Sequence, residues 1–235
     1  MPPHIISIEG NIGAGKSTLY EHLRIVYKNN PHVVFVDEPV DEWNTIVDES
    51  GIPILQRYYE NQEKYAFSFQ IMALGTRLSL MKKALATDCS ILIMERSVIT
   101  DSNIFARMLF DDGKINLIEY KIYMKWFIEY TNNLPPINII YLKTDPSVVY
   151  SRVIKRGRVG ETIPLDYLVK CHEYHEKWLN SDSNPILYKL QINGDEIHNS
   201  VNETITIWAE QVKHYITCLP KVQPLLPICE RFIQI

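Results

Sequence analysis

Cysteine is sparse in this 235-residue chain, and its four copies, Cys89, Cys171, Cys218 and Cys229, stand far apart. No C-x-x-C pair occurs, which argues against a structural zinc site or a redox couple. The N-terminus runs into an apolar segment without a basic region and cleavage site, so free thiols and a cytoplasmic location are expected. No stretch of 18 apolar residues is present, and no membrane partner is expected. Positive charge is also short: 24 Lys and Arg against 28 Asp and Glu give a formal net charge of −4. Such a chain is not drawn to a nucleic-acid backbone. No internal repeat or low-complexity run appears. With 46% hydrophobic residues the chain can build one full core, so one domain is expected.

What is present alternates. Apolar strands are expected at His4–Glu9, Val33–Pro39, Ser90–Ser97, Ile137–Pro146 and Ile186–Ile192. Helical segments are expected at Lys16–Tyr27, Tyr58–Leu85, Ile104–Leu109, Leu117–Tyr130, Pro146–Lys155, Leu165–Leu179 and Val201–Tyr215, with loop and short helix over Trp43–Gln56. Strands separated by helices predict an α/β fold with a five-stranded, mostly parallel sheet covered on both faces. Ligands of such sheets bind at the carboxyl ends of the strands. Three of those ends carry charge: Glu9-Gly10, Asp37-Glu38 and Glu95-Arg96. Residues 1–217 would form the domain. The tail 218–235 holds Pro220, Pro224 and Pro227, cannot be one helix, and is expected to pack on the same domain.

The first turn reads Gly10-Asn11-Ile12-Gly13-Ala14-Gly15-Lys16-Ser17-Thr18. It matches the phosphate-loop pattern between a strand and a helix, and predicts a phosphate-loop NTPase-type fold. Glycines let backbone N–H groups converge on one point. Lys16 adds a charge for the outer phosphates, Ser17 offers a hydroxyl to Mg²⁺, and the helix N-terminus points at the same place. The motif implies a nucleoside triphosphate and magnesium, and leaves the acceptor open.

An accepting hydroxyl needs a base, and Glu38 at the end of the second strand is the candidate, beside the loop if the sheet order is the usual one. Glu95 and Arg96 either pair with each other or hold metal and substrate. Arg152, Lys155, Arg156 and Arg158 form a dense basic run suited to a polyphosphate, and Arg152 and Arg156 share a helix face. Gly157 and Gly160 flank Arg158, so the stretch 156–162 is expected to move as a short Arg-rich lid.

Taken together, "EGNIGAGKST", "VDEPVDEW", "FSFQ", "MERSVITD" and "RVIKRGRVGE" resemble the cellular deoxyribonucleoside kinases, over roughly Ile5 to Leu179. The resemblance implies ATP and Mg²⁺, and a nucleoside acceptor phosphorylated at its 5′-hydroxyl. It makes Glu38 the base and Arg96 the holder of the transferring phosphate. Glu95 joins Ser17 at the metal. Trp43, Phe69, Gln70 and Phe105 would line or bond the nucleobase. Tyr59 and Glu161 would hold the 3′-hydroxyl, with Tyr58 the near competitor of Tyr59. Arg152, Arg156 and Arg158 would clasp the donor phosphates.

Members resembling deoxycytidine and deoxyguanosine kinases carry an aspartate and an arginine that match Asp101 and Arg77. Asp101 can accept from an exocyclic amine while Arg77 orients it and keeps it charged. A thymine carbonyl there would face an acceptor, so deoxycytidine or purine deoxynucleosides are expected over thymidine, with the order among them open. Ile99 and Tyr58 depart from the family pattern, where tyrosine and methionine are common. Family members are homodimers built on long helices, and Phe67–Leu85 and Leu117–Tyr130 are the candidates. The alternatives are a nucleoside monophosphate kinase of the thymidylate kinase type, and a non-catalytic nucleotide switch. No "NKxD" string supports a GTPase.

Overall fold

The apolar run HIISIE forms β1 (His4–Glu9), with five of its six residues buried. Four parallel partners complete one sheet: β2 (Val33–Val36), β3 (Ile91–Glu95), β4 (Ile137–Lys143) and β5 (Lys189–Asn193), in the order β2-β3-β1-β4-β5. The computed structural model describes residues 2–158, 163–180, 188–196 and 198–220. Glu161, most of the expected lid, the start of the expected fifth strand, Cys229 and the tail beyond Pro220 lie outside them.

The registers pair Ile6 with Ile93 and with Asn138, and Ile139 with Lys189. Side chains alternate across this sheet, so one set of residues feeds each face. Ile5, Leu92, Met94, Ile139 and Tyr141 pack into one core. Against it lie α4 (Gln62–Leu85) and α7 (Leu117–Thr131). Ile6, Ile8, Ile93, Ile140 and Leu142 pack into the other. That face is covered by α1 (Lys16–Val26), α8 (Pro146–Arg156) and α10 (Val201–Cys218). The α9 helix (Leu165–Leu179) serves both cores, through Leu168 on one side and Trp178 and Leu179 on the other.

β3 lies between β2 and β1, and Glu38, just past the end of β2, shares a cavity with the loop after β1, as expected. Two sequence expectations are corrected. The expected helix Tyr58–Leu85 is two helices, α3 (Ile54–Glu60) and α4, broken at Asn61. Asn61 leaves helical geometry (φ −150°, ψ 84°) and its side chain accepts from the Lys64 N–H, which caps α4. The expected helix Ile104–Leu109 is longer. It starts with α5 (Val98–Thr100), widens into a π-helical turn over Asp101–Ala106, and ends with α6 (Arg107–Asp111). Ser97 caps it in a reciprocal capping box with Thr100. A short α2 (Val40–Asn44) follows β2.

Candidate active site

The loop after β1 is shaped by what lies behind it. A Cβ on Gly10 would sit 2.6 Å from the Leu142 carbonyl oxygen, and one on Gly13 would sit 2.9 Å from Val153 Cγ2. Both also take positive φ, 146° and 82°, so only glycine fits. Gly10, Asn11 and Ala14 lie outside the cavity lining. The Asn11 side chain donates to the Leu168 carbonyl at 2.8 Å and accepts from the Ile12 N–H, which ties the loop to α9. Ile12, Gly13, Gly15, Lys16, Ser17 and Thr18 face a cavity of about 470 Å³.

Lys16 is buried and donates to the Asn11 carbonyl at 2.8 Å, with Glu95 Oε1 3.9 Å away. Burial, and then the charge of Arg96, bring its pKa down to about 8, against the pull of Glu95, Glu38 and Glu9. Ser17 Oγ donates to Glu95 Oε1 at 3.1 Å. A hydroxyl and a carboxylate in contact are the hard oxygen donors that Mg²⁺ takes. Among the described residues no cluster of three His, Cys, Asp or Glu could hold a metal alone. A magnesium ion here would therefore draw its remaining ligands from phosphate and water.

The end of β3 carries the other half of the site. Arg96 has φ 59°, the only positive value on a non-glycine among the described residues. Its N–H donates to the Ile8 carbonyl at 3.1 Å, which holds this strained corner against β1. Its guanidinium lies over the Phe105 ring, 5.3 Å from the centroid. Arg96 Nη1 and Arg77 Nη2 both donate to Glu38 Oε1 at 2.9 Å. Burial alone would raise the Glu38 pKa. Arg96, Arg77 and Lys16 outweigh it and hold the carboxylate well below its ordinary range.

Another part of the cavity wall is aromatic. Trp43 meets Phe69 edge to face at 5.2 Å, and its Nε1 donates to Thr76 Oγ1 at 2.9 Å. Tyr58 stacks on Phe69 at 4.6 Å and shares a 3.2 Å hydrogen bond with Tyr167. Tyr58 is buried and Tyr59 beside it half-buried, and both line the cavity. Gln70 is 2% exposed and its Oε1 has no partner among the described residues. A buried amide oxygen of this kind is costly until a donor meets it. Arg77 Nε donates to Asp101 Oδ2 at 2.9 Å. Burial pushes the Asp101 pKa up, and the Arg77 charge and hydrogen bond pull it back down.

The three arginines differ. Arg152 Nη1 donates to the Ala14 carbonyl at 3.1 Å and Nη2 to the Gly194 carbonyl at 2.9 Å, so it braces the loop against the end of β5. Arg156 and Arg158 are exposed and line the cavity mouth. Sequence reasoning missed Tyr167, and missed the wall that α10 supplies through Val201, Thr204, Ile205 and Trp208. It also missed a use for Glu9, which is fully buried. Its Oε1 accepts from Ser7 and Ser97, the residue that caps the helix carrying Asp101 and Phe105. The charged end of β1 was the one available signal for Glu9.

Comparison with known proteins gives the family. The family model described as deoxynucleoside kinase matches residues 6–217. A probable deoxycytidine kinase of fowlpox virus is 41% identical over 197 residues, covering 81% of this chain and 78% of that protein. Deoxycytidine kinase 2 of Gallus gallus is 32% identical over 244 residues, 90% of each chain. Human deoxycytidine kinase is 36% identical over 197 residues, 74% of each chain. On this match the chain belongs to the deoxynucleoside kinase family and is an enzyme of that family.

Proposed function

We propose that this enzyme transfers the γ-phosphoryl group of ATP to the 5′-hydroxyl of deoxycytidine or a purine deoxynucleoside, in preference to thymidine. The carrying observation is Glu38, gripped through one oxygen by Arg96 and Arg77, in the same cavity as Lys16 and Ser17. Both ion pairs use Oε1, which leaves Oε2 outside them to take the hydroxyl proton. The 5′-oxygen attacks the γ-phosphorus, the bond to the β-phosphate oxygen breaks, and ADP leaves.

A carboxylate with a depressed pKa is a weak base. It suffices where the hydroxyl proton becomes acidic late, as the new P–O bond forms in a loose transition state. Arg96, Lys16 and the lid arginines Arg156 and Arg158 stabilise the charge on the moving phosphoryl group. Mg²⁺, held by Ser17 and Glu95, would neutralise charge on the phosphate oxygens. Gly10–Thr18 cradles the phosphates of a phosphate-loop NTPase-type fold, and Arg152 stiffens that cradle. Residues 1–217 form the kinase domain, the segment 156–162 acts as its lid, and Glu161 joins Tyr59 on the 3′-hydroxyl.

Gln70 Oε1, without a partner among the described residues and in a cavity also lined by Trp43, Phe69 and Phe105, supports a planar base as the acceptor's recognised part. Asp101, aimed into the same cavity, supports an amine-bearing base. The relatives named above as deoxycytidine kinases agree with that choice. The free thiols of Cys89, Cys171 and Cys218 suit a reducing, cytoplasmic setting. Among the described residues no helix is long and apolar enough to cross a membrane.

A homodimer through α4 and α7 completes the reading. The inward face of α7 buries Tyr120, Tyr123, Phe127 and Thr131. Its outward face leaves Ile118, Ile122, Trp126 and Tyr130 exposed at four-residue spacing, an apolar stripe that a second copy would cover.

The test is ADP release from ATP–Mg²⁺ with each common deoxynucleoside or deoxynucleotide. Stimulation by deoxynucleosides supports the reading. Stimulation by monophosphates alone replaces it with a nucleoside monophosphate kinase, and stimulation by neither removes it.

A further inference from the structure

Arg77 has more partners than reading a base requires. It is 2% exposed, and each of its three nitrogens is used. Nε donates to Asp101 Oδ2, Nη2 to Glu38 Oε1 and Nη1 to the backbone carbonyl of Glu95, each at 2.9 Å. One guanidinium thus joins the carboxylate that faces the nucleobase to the carboxylate that faces the 5′-hydroxyl. A guanidinium is a rigid planar fork, so its two ends cannot adjust independently. The backbone contact fixes the fork to the end of β3.

We propose that Arg77 is a positioning residue that couples nucleobase readout to Glu38, with Asp101 setting how firmly Arg77 grips the base. The proposal rests on the kinase reading above. The charged groups facing Glu38 are Arg77 from α4, Arg96 from the end of β3 and Lys16 from the start of α1. Asp101, from the π-helical turn, faces Glu38 with like charge and competes for Arg77. While Asp101 holds Nε, the charge of Arg77 is divided between two carboxylates. Without the Asp101 charge, Arg77 turns wholly to Glu38, which becomes a poorer proton acceptor. The loss then appears in kcat, and it appears for every nucleoside, including one with no amine for Asp101 to meet. A residue that only reads the base would act on amine-bearing substrates alone.

The experiment compares the native chain with Asp101→Asn on two acceptors. One is deoxycytidine. The other is the deoxyriboside of pyrimidin-2-one, which has hydrogen in place of the 4-amine. Asparagine keeps an oxygen for Arg77 Nε and removes the charge. The expected result is a fall in kcat of about tenfold on both acceptors, with ATP affinity and melting temperature near native. A fall confined to deoxycytidine, in KM or in kcat, overturns the coupling. Should Asp101→Asn not fold, Arg77→Lys takes its place, because an ammonium keeps the charge but cannot span both carboxylates. A lowered kcat on both acceptors then supports the proposal, and an unchanged kcat on the amine-free one overturns it. If the native chain turns over neither nucleoside, the kinase reading itself falls, and the coupling with it.

Discussion

Arg96 Nη1 donates to Glu38 Oε1 across 2.9 Å, from a backbone held in the left-handed region at φ 59°. A non-glycine residue there carries strain of roughly 1–3 kcal/mol. The strain persists because the Arg96 N–H is bonded to the end of β1 and its guanidinium rests on Phe105. The corner thereby aims a fixed positive group at the carboxylate before any substrate arrives, so no reorganisation is needed at the moment of transfer.

Glu38→Gln keeps the shape and removes the proton acceptor. Turnover with the best deoxynucleoside is expected to fall by about 10²-fold or more, with a much smaller change in nucleoside KM. Steady-state rates of ADP formation check this, and a variant with native kcat would remove Glu38 as the base.

Thymidine presents a carbonyl where Asp101 offers only acceptors. Leaving that contact unpaired costs about 1–3 kcal/mol, so kcat/KM for deoxycytidine should exceed that for thymidine by roughly 5- to 160-fold. A competition assay with both nucleosides in one tube reads the ratio directly. Equal rates would sink the specificity argument.

Gly13→Ala would push a methyl group to 2.9 Å from Val153 Cγ2 at φ 82°. The expected cost is about 1–3 kcal/mol, read as a lower melting temperature together with weaker ATP binding. The same change at Gly75, where nothing lies within 4 Å, should leave both within error or raise stability slightly.

His175 supplies a pH dependence. It is 1% exposed, its Nδ1 lies 2.6 Å from the Cys171 carbonyl, and its Nε2 has no partner among the described residues. Burial is the main cause that brings its pKa from 6.5 down to about 3. The neutral ring is native, so the unfolded chain binds more protons between those values. Its contribution is therefore intact above pH 6.5 and is lost as pH falls toward 3, at up to about 1.4 kcal/mol per pH unit. Melting curves from pH 7 to pH 5 should fall more steeply for the native chain than for His175→Gln.

Ile118→Glu combined with Ile122→Glu places two charges on the outward stripe of α7. Light scattering should show the native chain at twice its 27.4 kDa mass and the variant at monomer mass. A native chain that already runs as a monomer would remove the dimer.

Much of the fold could be read from residues with unambiguous local chemistry. The bounds of β1 follow from an apolar run that stops at glycine. Those of α9 follow from an amphipathic repeat entered through Pro164. The break at Asn61 was hidden because one polar residue inside a helical pattern looks the same whether it caps or continues. Strand order was hidden as well, since nothing local to Val33–Val36 says that β3 will intervene. In the site, the loop and Glu38 stood out because glycine and charge at strand ends have few other uses. Tyr167 and Trp208 did not, because an aromatic on the apolar face of a helix reads as core. The double grip of Arg77 was invisible for a different reason: spacing along a chain can suggest one partner for a side chain, and seldom the second.

The order β2-β3-β1 carries a consequence for what the enzyme can accept. The loop and Glu38 follow strands with one other between them, and neighbouring strands lie roughly 4.8 Å apart. A hydrogen-bonded sheet neither stretches nor compresses to suit a guest. On the proposed reading, the strands under the site stay put, and new acceptors are admitted by reshaping the helices beyond Glu38.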